Sequence, residues 1–94
     1  MIDRTTRLSL ARQVRLKLDP RSGKQMLLYP EKGLELNDTG ARVAALCREA
    51  CTAGEIVDRL IAASDGATPP AQIEAEVLAF LNALEDRGLL VVHP

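Results

Sequence analysis

The chain has 94 residues, the size of one small domain with a single core, and we expect residues 1–94 to form one such domain. Apolar residues make up 47% of it, which excludes a disordered tail. Aromatic residues make up only 2%, too few for the stacking platforms that bind single-stranded nucleic acid, and no apolar run reaches the roughly 20 residues needed to span a membrane.

Charge is unevenly distributed along the chain. The formal net charge is -1, yet residues 1–24 carry seven basic and two acidic side chains, whereas the remainder carries five basic and eleven acidic ones. This pattern is typical of a basic face that meets an acidic partner or the chain's own acidic helices. A nucleic-acid arm is less favoured, because a duplex binder usually has a stronger overall positive excess.

Three short strands are predicted in the first third of the chain. Residues 1–8 show no clear period, and we expect them to be mobile or exchanged with another copy. Apolar and charged residues alternate over 14–19, which indicates a half-buried strand. A turn then leads to a second strand over 24–29, which Pro30 ends because it has no N–H to donate. Gly33–Leu36 is a brief third strand.

Two helices should follow the strands at once. Asn37 or Asp38 caps the first, which we expect to run to about Ala50. Helical spacing predicts a buried face made of Thr39, Val43, Leu46, Cys47 and Ala50. Thr52 and Glu55 have the spacing of a capping box, so a second helix should begin there and run to about Ser64.

A longer third helix completes the pattern. Thr68 should cap it, and Gly88 should end it just after Arg87. A short extended piece is expected over 89–92. Strands followed by helices predict an α+β fold that is winged-helix-like, with three short antiparallel N-terminal strands followed by a three-helix bundle.

The residues of this chain favour binding over catalysis. Its one histidine, His93, lies near the C-terminus and is interpreted as a flexible tail residue. Cys47 and Cys51 are interpreted as reduced thiols with packing roles. No glycine-rich loop has phosphate-binding spacing. We therefore expect no enzyme activity, no cofactor and no metal, in a protein of the cytoplasm.

The strand Gly33–Leu36 is the most informative feature of the sequence. It is too short for the centre of a sheet and is typical of an edge, whose unpaired backbone groups can accept a peptide strand. With the third helix beside it, this edge would form a groove, and Leu34→Pro should remove an edge amide while the fold is retained. The proposed peptide-binding residues are Gly33, Leu34, Glu35, Leu36, Val77, Phe80 and Leu81. The alternative, that the apolar members only fill the core, stays open.

A DNA-binding regulator with a winged helix is the alternative function. The third helix, however, exposes mainly carboxylates, which would repel the phosphate backbone. The exposed polar residues expected on that helix are Glu74, Glu76, Asn82, Glu85, Asp86 and Arg87.

Several segments together resemble the PqqD family of pyrroloquinoline quinone (PQQ) biosynthesis. They are LLYPEKG at 27–33, LNDT at 36–39, the Leu46-Cys47 helix end, EIV at 55–57 with Leu60, and Val77, Phe80-Leu81, Leu84 and Gly88-Leu89-Leu90. The resemblance implies a peptide chaperone, the recognition element of a ribosomally made, modified peptide. Such a protein binds the precursor peptide PqqA beside the third strand, against the third helix, and presents it to the radical S-adenosylmethionine enzyme PqqE. It also implies a link to quinone binding.

The chain departs from the family pattern in one turn. Members commonly have Cys-Asp-Gly after the first helix, where this chain has Cys47-Arg48-Glu49-Ala50, so the first helix is expected to run longer. We also predict a homodimer through exchange of residues 1–10, and no nucleic-acid or membrane partner.

Overall fold

The computed structural model describes residues 1–29 and 32–94 and forms antiparallel strands and three helices, as predicted. The strands are β1 (Arg7–Leu10), β2 (Arg15–Leu18), β3 (Gln25–Tyr29), β4 (Lys32–Glu35), β5 (Cys51–Thr52) and β6 (Leu90–His93). The helices are α1 (Asp38–Leu46), α2 (Ala53–Ala63) and α3 (Pro70–Asp86). The expectation that Pro30 ends a strand lies outside the described residues.

The three predicted strands correspond to β2, β3 and β4, which form one antiparallel sheet in that order. Leu16, Leu27 and Leu34 lie opposite one another across its three strands, on one face. Leu27 is fully buried there. The alternate positions, such as Arg15 and Lys17, are exposed on the other face, so the period-2 pattern correctly identified the core side of the sheet.

A second antiparallel sheet was not predicted. Its strand order is β5-β1-β6, so the N-terminal strand lies at its centre. Leu8 of β1 is fully buried, and Ile2 is 3% exposed with its N–H donating to Asn82 Oδ1 at 3.0 Å. Residues 1–8 therefore pack against the chain's own helices here. Their exchange with a second copy stays a prediction.

The first helix is shorter than expected. Asn37 caps it by accepting a hydrogen bond from the Gly40 N–H at 2.7 Å. The helix ends at Leu46, so the prediction that it runs to about Ala50 was wrong. The Cys47 carbonyl accepts the Leu10 N–H at 2.8 Å, and the chain then turns so that Cys51 pairs with Leu8 of β1. Pairing with β1 thus replaces the last predicted helical turn.

The buried face of α1 also differs from the prediction. Val43 and Cys47 are buried as expected, but Thr39 and Ala50 are exposed. Gly40 and Ala44 are buried instead. Phe80 of α3 packs against Gly40, whose missing side chain leaves room for the ring, so small residues lie on this part of the buried face.

The ends of the other helices are set by local sequence. Thr52 and Glu55 form the predicted capping box of α2, which ends at Ala63. Thr68 does not cap α3: its N-cap is Pro69, which makes no side-chain hydrogen bond. Gly88 follows the helix with φ +75°, a backbone conformation that favours glycine.

One apolar cluster joins these elements. It extends from Ile2 through the helices to Leu90 and contains fully buried leucines from three different elements, namely Leu8, Leu27 and Leu81. Burying each such side chain contributes about 1.5–3 kcal/mol to folding. Among the described helices, none has the length and apolar character needed to cross a bilayer.

Candidate functional site

Strand β4 lies at an edge of its sheet. It pairs with β3 on one side, and within residues 1–29 and 32–94 no strand pairs with its other side. The main-chain groups on that outer side are therefore available to a further strand, as the sequence predicted.

The hydrogen-bonding register identifies which residues present those groups. Leu36 N–H donates to the Gln25 carbonyl at 2.9 Å, so this opposed pair is hydrogen-bonded. Hydrogen-bonded and non-hydrogen-bonded pairs alternate along an antiparallel ladder. Leu34 is therefore bonded to β3, whereas Gly33 and Glu35 direct their N–H and C=O groups outward. We call these outward groups of Gly33 and Glu35 the β4 edge.

This register changes the expectation for Leu34→Pro. The Leu34 N–H points to Leu27 within the sheet and is not an edge amide. Proline at this position would remove a β3–β4 hydrogen bond, so the premise that Leu34→Pro removes an edge amide was wrong, and we now expect the substitution to weaken the sheet.

Gly33 allows close packing on the outer face of the sheet. A Cβ atom at this position would lie 3.0 Å from Met26 Cε and 3.3 Å from Leu28 Cδ2. Both side chains are half-buried and occupy the space that a side chain at position 33 would need. Because Gly33 has no side chain, Met26 and Leu28 can pack beside it while the main chain of β4 stays exposed at this position.

The proposed residues of α3 fall into two groups. Val77 is 1% exposed and Leu81 is fully buried, so both are core residues in this structure. Phe80 is half-buried and packs on the first turn of α1, with its Cζ atom 3.2 Å from the position of a Gly40 Cβ. Of the three proposed α3 residues, Phe80 is thus the one with accessible surface to offer a ligand, and Gly40, which the sequence analysis did not single out, makes room for its ring.

Leu36 and Leu34 also differ in how deeply they are buried. Leu36 is 5% exposed and belongs to the core, although it also lines a hollow together with Asp38 and Ala41. Leu34 is half-buried and only packs against the core. Val77 lines a separate hollow between α1 and α3, beside Thr39.

An exposed ion pair borders the β4 edge. Lys24 Nζ lies 3.2 Å from Glu35 Oε1, and both side chains are more than half exposed. Exposed pairs of this kind contribute only about 0–1 kcal/mol. Glu35 can therefore exchange this partner for a basic group on an incoming strand at little cost.

The surroundings of the two cysteines and of His93 indicate packing and hydrogen bonding within the fold. Burial raises the pKa of the Cys47 thiol to about 12, with Cys51 adding to the effect, and burial also raises the pKa of Cys51. A protonated, buried thiol is a poor nucleophile. His93 is not a flexible tail residue, because it lies in β6 and its ring is 2.8 Å from Ser9 Oγ. Within the described parts of the chain, no group of His, Cys, Asp or Glu is arranged to hold a metal.

Comparison with known protein families gives a match over most of the chain. The sequence profile described as "Coenzyme PQQ synthesis protein D (PqqD)" matches residues 24–90. A PqqA binding protein of Rhodopseudomonas palustris is 33% identical over 89 residues, covering 95% of this chain and 85% of the relative. PqqA binding protein 2 of Pseudomonas putida is 37% identical over 82 residues, covering 87% and 88%.

Two solved structures share the fold. One is the solution NMR structure of the PqqD part of Methylobacterium extorquens PqqCD, described as a functional, stand-alone recognition element for ribosomally synthesised and modified peptides. It has a TM-score of 0.81 and 31% identity and covers 97% of this chain and 95% of its own. The other is TbiB1 in complex with the TbiA(beta) leader peptide, with a TM-score of 0.74, 23% identity, and coverage of 92% and 98%.

Proposed function

This chain belongs to the PqqD family, and from that premise we propose that it is a peptide chaperone of PQQ biosynthesis. In this proposal it binds the precursor peptide PqqA as an added strand at the β4 edge. The relatives named above as PqqA binding proteins support this choice of ligand.

The single observation that carries the proposal is the outward orientation of the Gly33 and Glu35 main-chain groups. A docked strand would form hydrogen bonds with these groups, each contributing about 0.5–1.5 kcal/mol net. A few such bonds give only weak binding after the cost of association. Side-chain contacts must supply the rest, and among the proposed peptide-binding residues Phe80 and Leu34 are the half-buried apolar ones.

A heteronuclear NMR titration of the labelled chain with the PqqA peptide tests the proposal. We expect the amide signals of Gly33 and Glu35 to shift most and their hydrogen exchange to slow, because both amides would become hydrogen-bonded. A PqqA peptide of scrambled sequence is the control. Unchanged Gly33 and Glu35 amides at saturating peptide would rule out strand addition at this edge.

We propose further that the chain presents the bound peptide to the radical S-adenosylmethionine enzyme PqqE. Presentation requires a complex of three components, so PqqE affinity measured by calorimetry should rise when PqqA is present. Equal affinity with and without PqqA would contradict presentation.

The cytoplasm is the proposed location, supported by the two unpaired thiols of Cys47 and Cys51. Quinone binding stays a prediction.

A homodimer through exchange of the N-terminal strand is a separate proposal. β1 occupies the centre of its sheet, so an exchanged strand could fill the same place in a second copy. Light scattering coupled to size exclusion should then show a species of twice 10.2 kDa. A single species of 10.2 kDa at all concentrations would exclude the dimer.

The winged-helix description and the DNA-binding alternative stay predictions. On α3, Glu76 and Asp86 are exposed, and Arg87 lies just after its end. Carboxylates on this helix disfavour contact with a phosphate backbone. A gel shift at moderate salt that detected tight, salt-sensitive DNA binding would revive the alternative.

A further inference from the structure

A second edge of the same sheet lies beside a basic hollow. Strand β2 pairs only with β3 among the described residues, so its other side is open. Asp19 N–H donates to the Lys24 carbonyl at 2.8 Å, which makes this opposed pair hydrogen-bonded. By alternation along the ladder, Arg15 and Lys17 are also bonded inward, and Leu16 and Leu18 direct their main-chain groups outward. We call these outward groups of Leu16 and Leu18 the β2 edge.

Three arginines surround the hollow at the start of the β2 edge. Arg12 lies between β1 and β2, Arg15 is the first residue of β2, and Arg48 comes from the turn after α1. All three are exposed. We call this the arginine hollow. Its remaining lining is aliphatic and consists of Leu10, Ala11, Val14 and Leu16.

These guanidinium groups have no carboxylate partner in the described part of the chain. The ion pairs formed by its basic side chains involve Arg4 and Lys24, not the arginines of the hollow. Arg15 Nη1 instead donates to the main-chain carbonyl of Arg12 at 3.1 Å, which places both arginines on one side of the hollow. No acidic residue lines the hollow among the residues described. Arginine forks that are close together and unpaired are well suited to carboxylates.

We propose that the arginine hollow and the β2 edge together bind an extended acidic segment of a partner protein. The segment would add as a strand to Leu16 and Leu18, its carboxylates would reach the three arginines, and its alternate apolar side chains would contact the aliphatic floor. This site lies at the opposite edge of the sheet from the β4 edge. It goes beyond the proposed binding of PqqA, and both edges can be occupied at once.

Charge and lining together favour a peptide over a nucleic acid as the occupant. The floor of the hollow is aliphatic, with Ala11 7% and Val14 5% exposed, and none of the described residues that line it has an aromatic ring on which a base could stack. An open strand edge, in contrast, selects an extended peptide backbone.

A synthetic peptide probe tests the site directly. The probe is an acetylated and amidated hexapeptide of alternating glutamate and valine, titrated into the labelled chain and followed by NMR. We expect the Leu16 and Leu18 amides to shift, the Gly33 and Glu35 amides to stay unchanged, and the affinity to fall as salt is added. The same hexapeptide with lysine in place of glutamate should not bind. Absence of shifts at several millimolar probe, or shifts confined to the β4 edge, would overturn the proposal.

Two triple variants with the same loss of charge separate the site from general attraction. Loss of three exposed arginine–carboxylate contacts should weaken binding of the probe by roughly tenfold. The site variant carries Arg12→Gln, Arg15→Gln and Arg48→Gln. The control carries Arg21→Gln, Arg42→Gln and Arg87→Gln and should change affinity by less than about twofold, because its arginines lie outside the hollow. Equal loss in both variants, or tighter binding of an oligothymidylate than of the probe at the same arginines, would overturn the proposal.

Discussion

At the scale of single residues, neighbours on α3 have different surroundings. Leu81 is fully buried in the apolar cluster, whereas Phe80 is half-buried and rests on Gly40 of α1. The sequence places both residues on one apolar stripe of α3. It cannot show which of them lies in the core and which can contact a ligand, because part of that stripe lies outside the buried surface.

We expect Leu81→Ala to lower mainly the stability of the fold and Phe80→Ala to lower mainly the affinity for PqqA. Leu81→Ala should lower the free energy of unfolding by about 2–5 kcal/mol, because it leaves a cavity in the core. Phe80→Ala should cost less stability and weaken PqqA binding more. Chemical denaturation and calorimetry on both variants provide the measurement. A larger stability loss for Phe80→Ala than for Leu81→Ala would contradict this division.

A second prediction concerns the outward N–H of Glu35 at the β4 edge. Glu35→Pro removes an outward N–H, so it should weaken PqqA binding by about 0.5–1.5 kcal/mol for the lost hydrogen bond. Glu35→Ala is the matched control, since it removes the same ion pair with Lys24 but keeps the amide. Calorimetry should show the loss only for proline. Leu34→Pro should instead lower thermal stability, because its amide bonds inward to β3.

At the scale of elements, α2 shows how local sequence sets a boundary. Its capping box satisfies the amides of both Thr52 and Glu55. The hydrogen bonds from Thr52 to the Glu55 carboxylate lower the pKa of that carboxylate. The capping interaction is therefore formed with the charged carboxylate and is sensitive to acid.

The pH dependence of stability follows from this pKa. A carboxyl group whose pKa is lower in the folded state adds stability above its unfolded pKa, and this stability is lost as the pH falls through the folded value. Glu55→Gln removes the titration while keeping a hydrogen-bond acceptor. We expect the variant to lose less stability than the wild type on acidification below about pH 5, measured by thermal unfolding at several pH values. Identical acid sensitivity of the two proteins would contradict the assignment.

At the scale of the whole molecule, the N-terminal segment connects distant elements. Arg4 pairs with Asp58 of α2 at 2.7 Å and also with Glu74 of α3. Its carbonyl accepts the Gly54 N–H at 2.9 Å. Together with β1 at the centre of the second sheet, these contacts make residues 1–10 part of the fold.

Gly54→Ala tests this role. A Cβ atom there would lie 3.0 Å from the Arg4 carbonyl oxygen, a main-chain atom that can yield only if the N-terminal segment moves. We expect a loss of about 1–2 kcal/mol of stability from this overpacking, although alanine is normally the better helix former. Chemical denaturation measures it, and Ala63→Gly at the other end of α2 calibrates the intrinsic preference. Stabilisation by Gly54→Ala would mean that the segment is not held as described.

Local features of the fold could be predicted from neighbouring residues alone. Alternation identified β2 to β4, the capping box located α2, and the brevity of residues 33–36 indicated an edge strand. Each of these signals depends on residues within a few positions of one another. The folded chain was needed to show that β1 lies at the centre of a second sheet, that α1 ends at Leu46, and that the main-chain groups of Gly33 and Glu35, not those of Leu34, point outward. These features depend on pairing between residues far apart in the chain, because main-chain hydrogen bonds with distant strands compete with and override local preference.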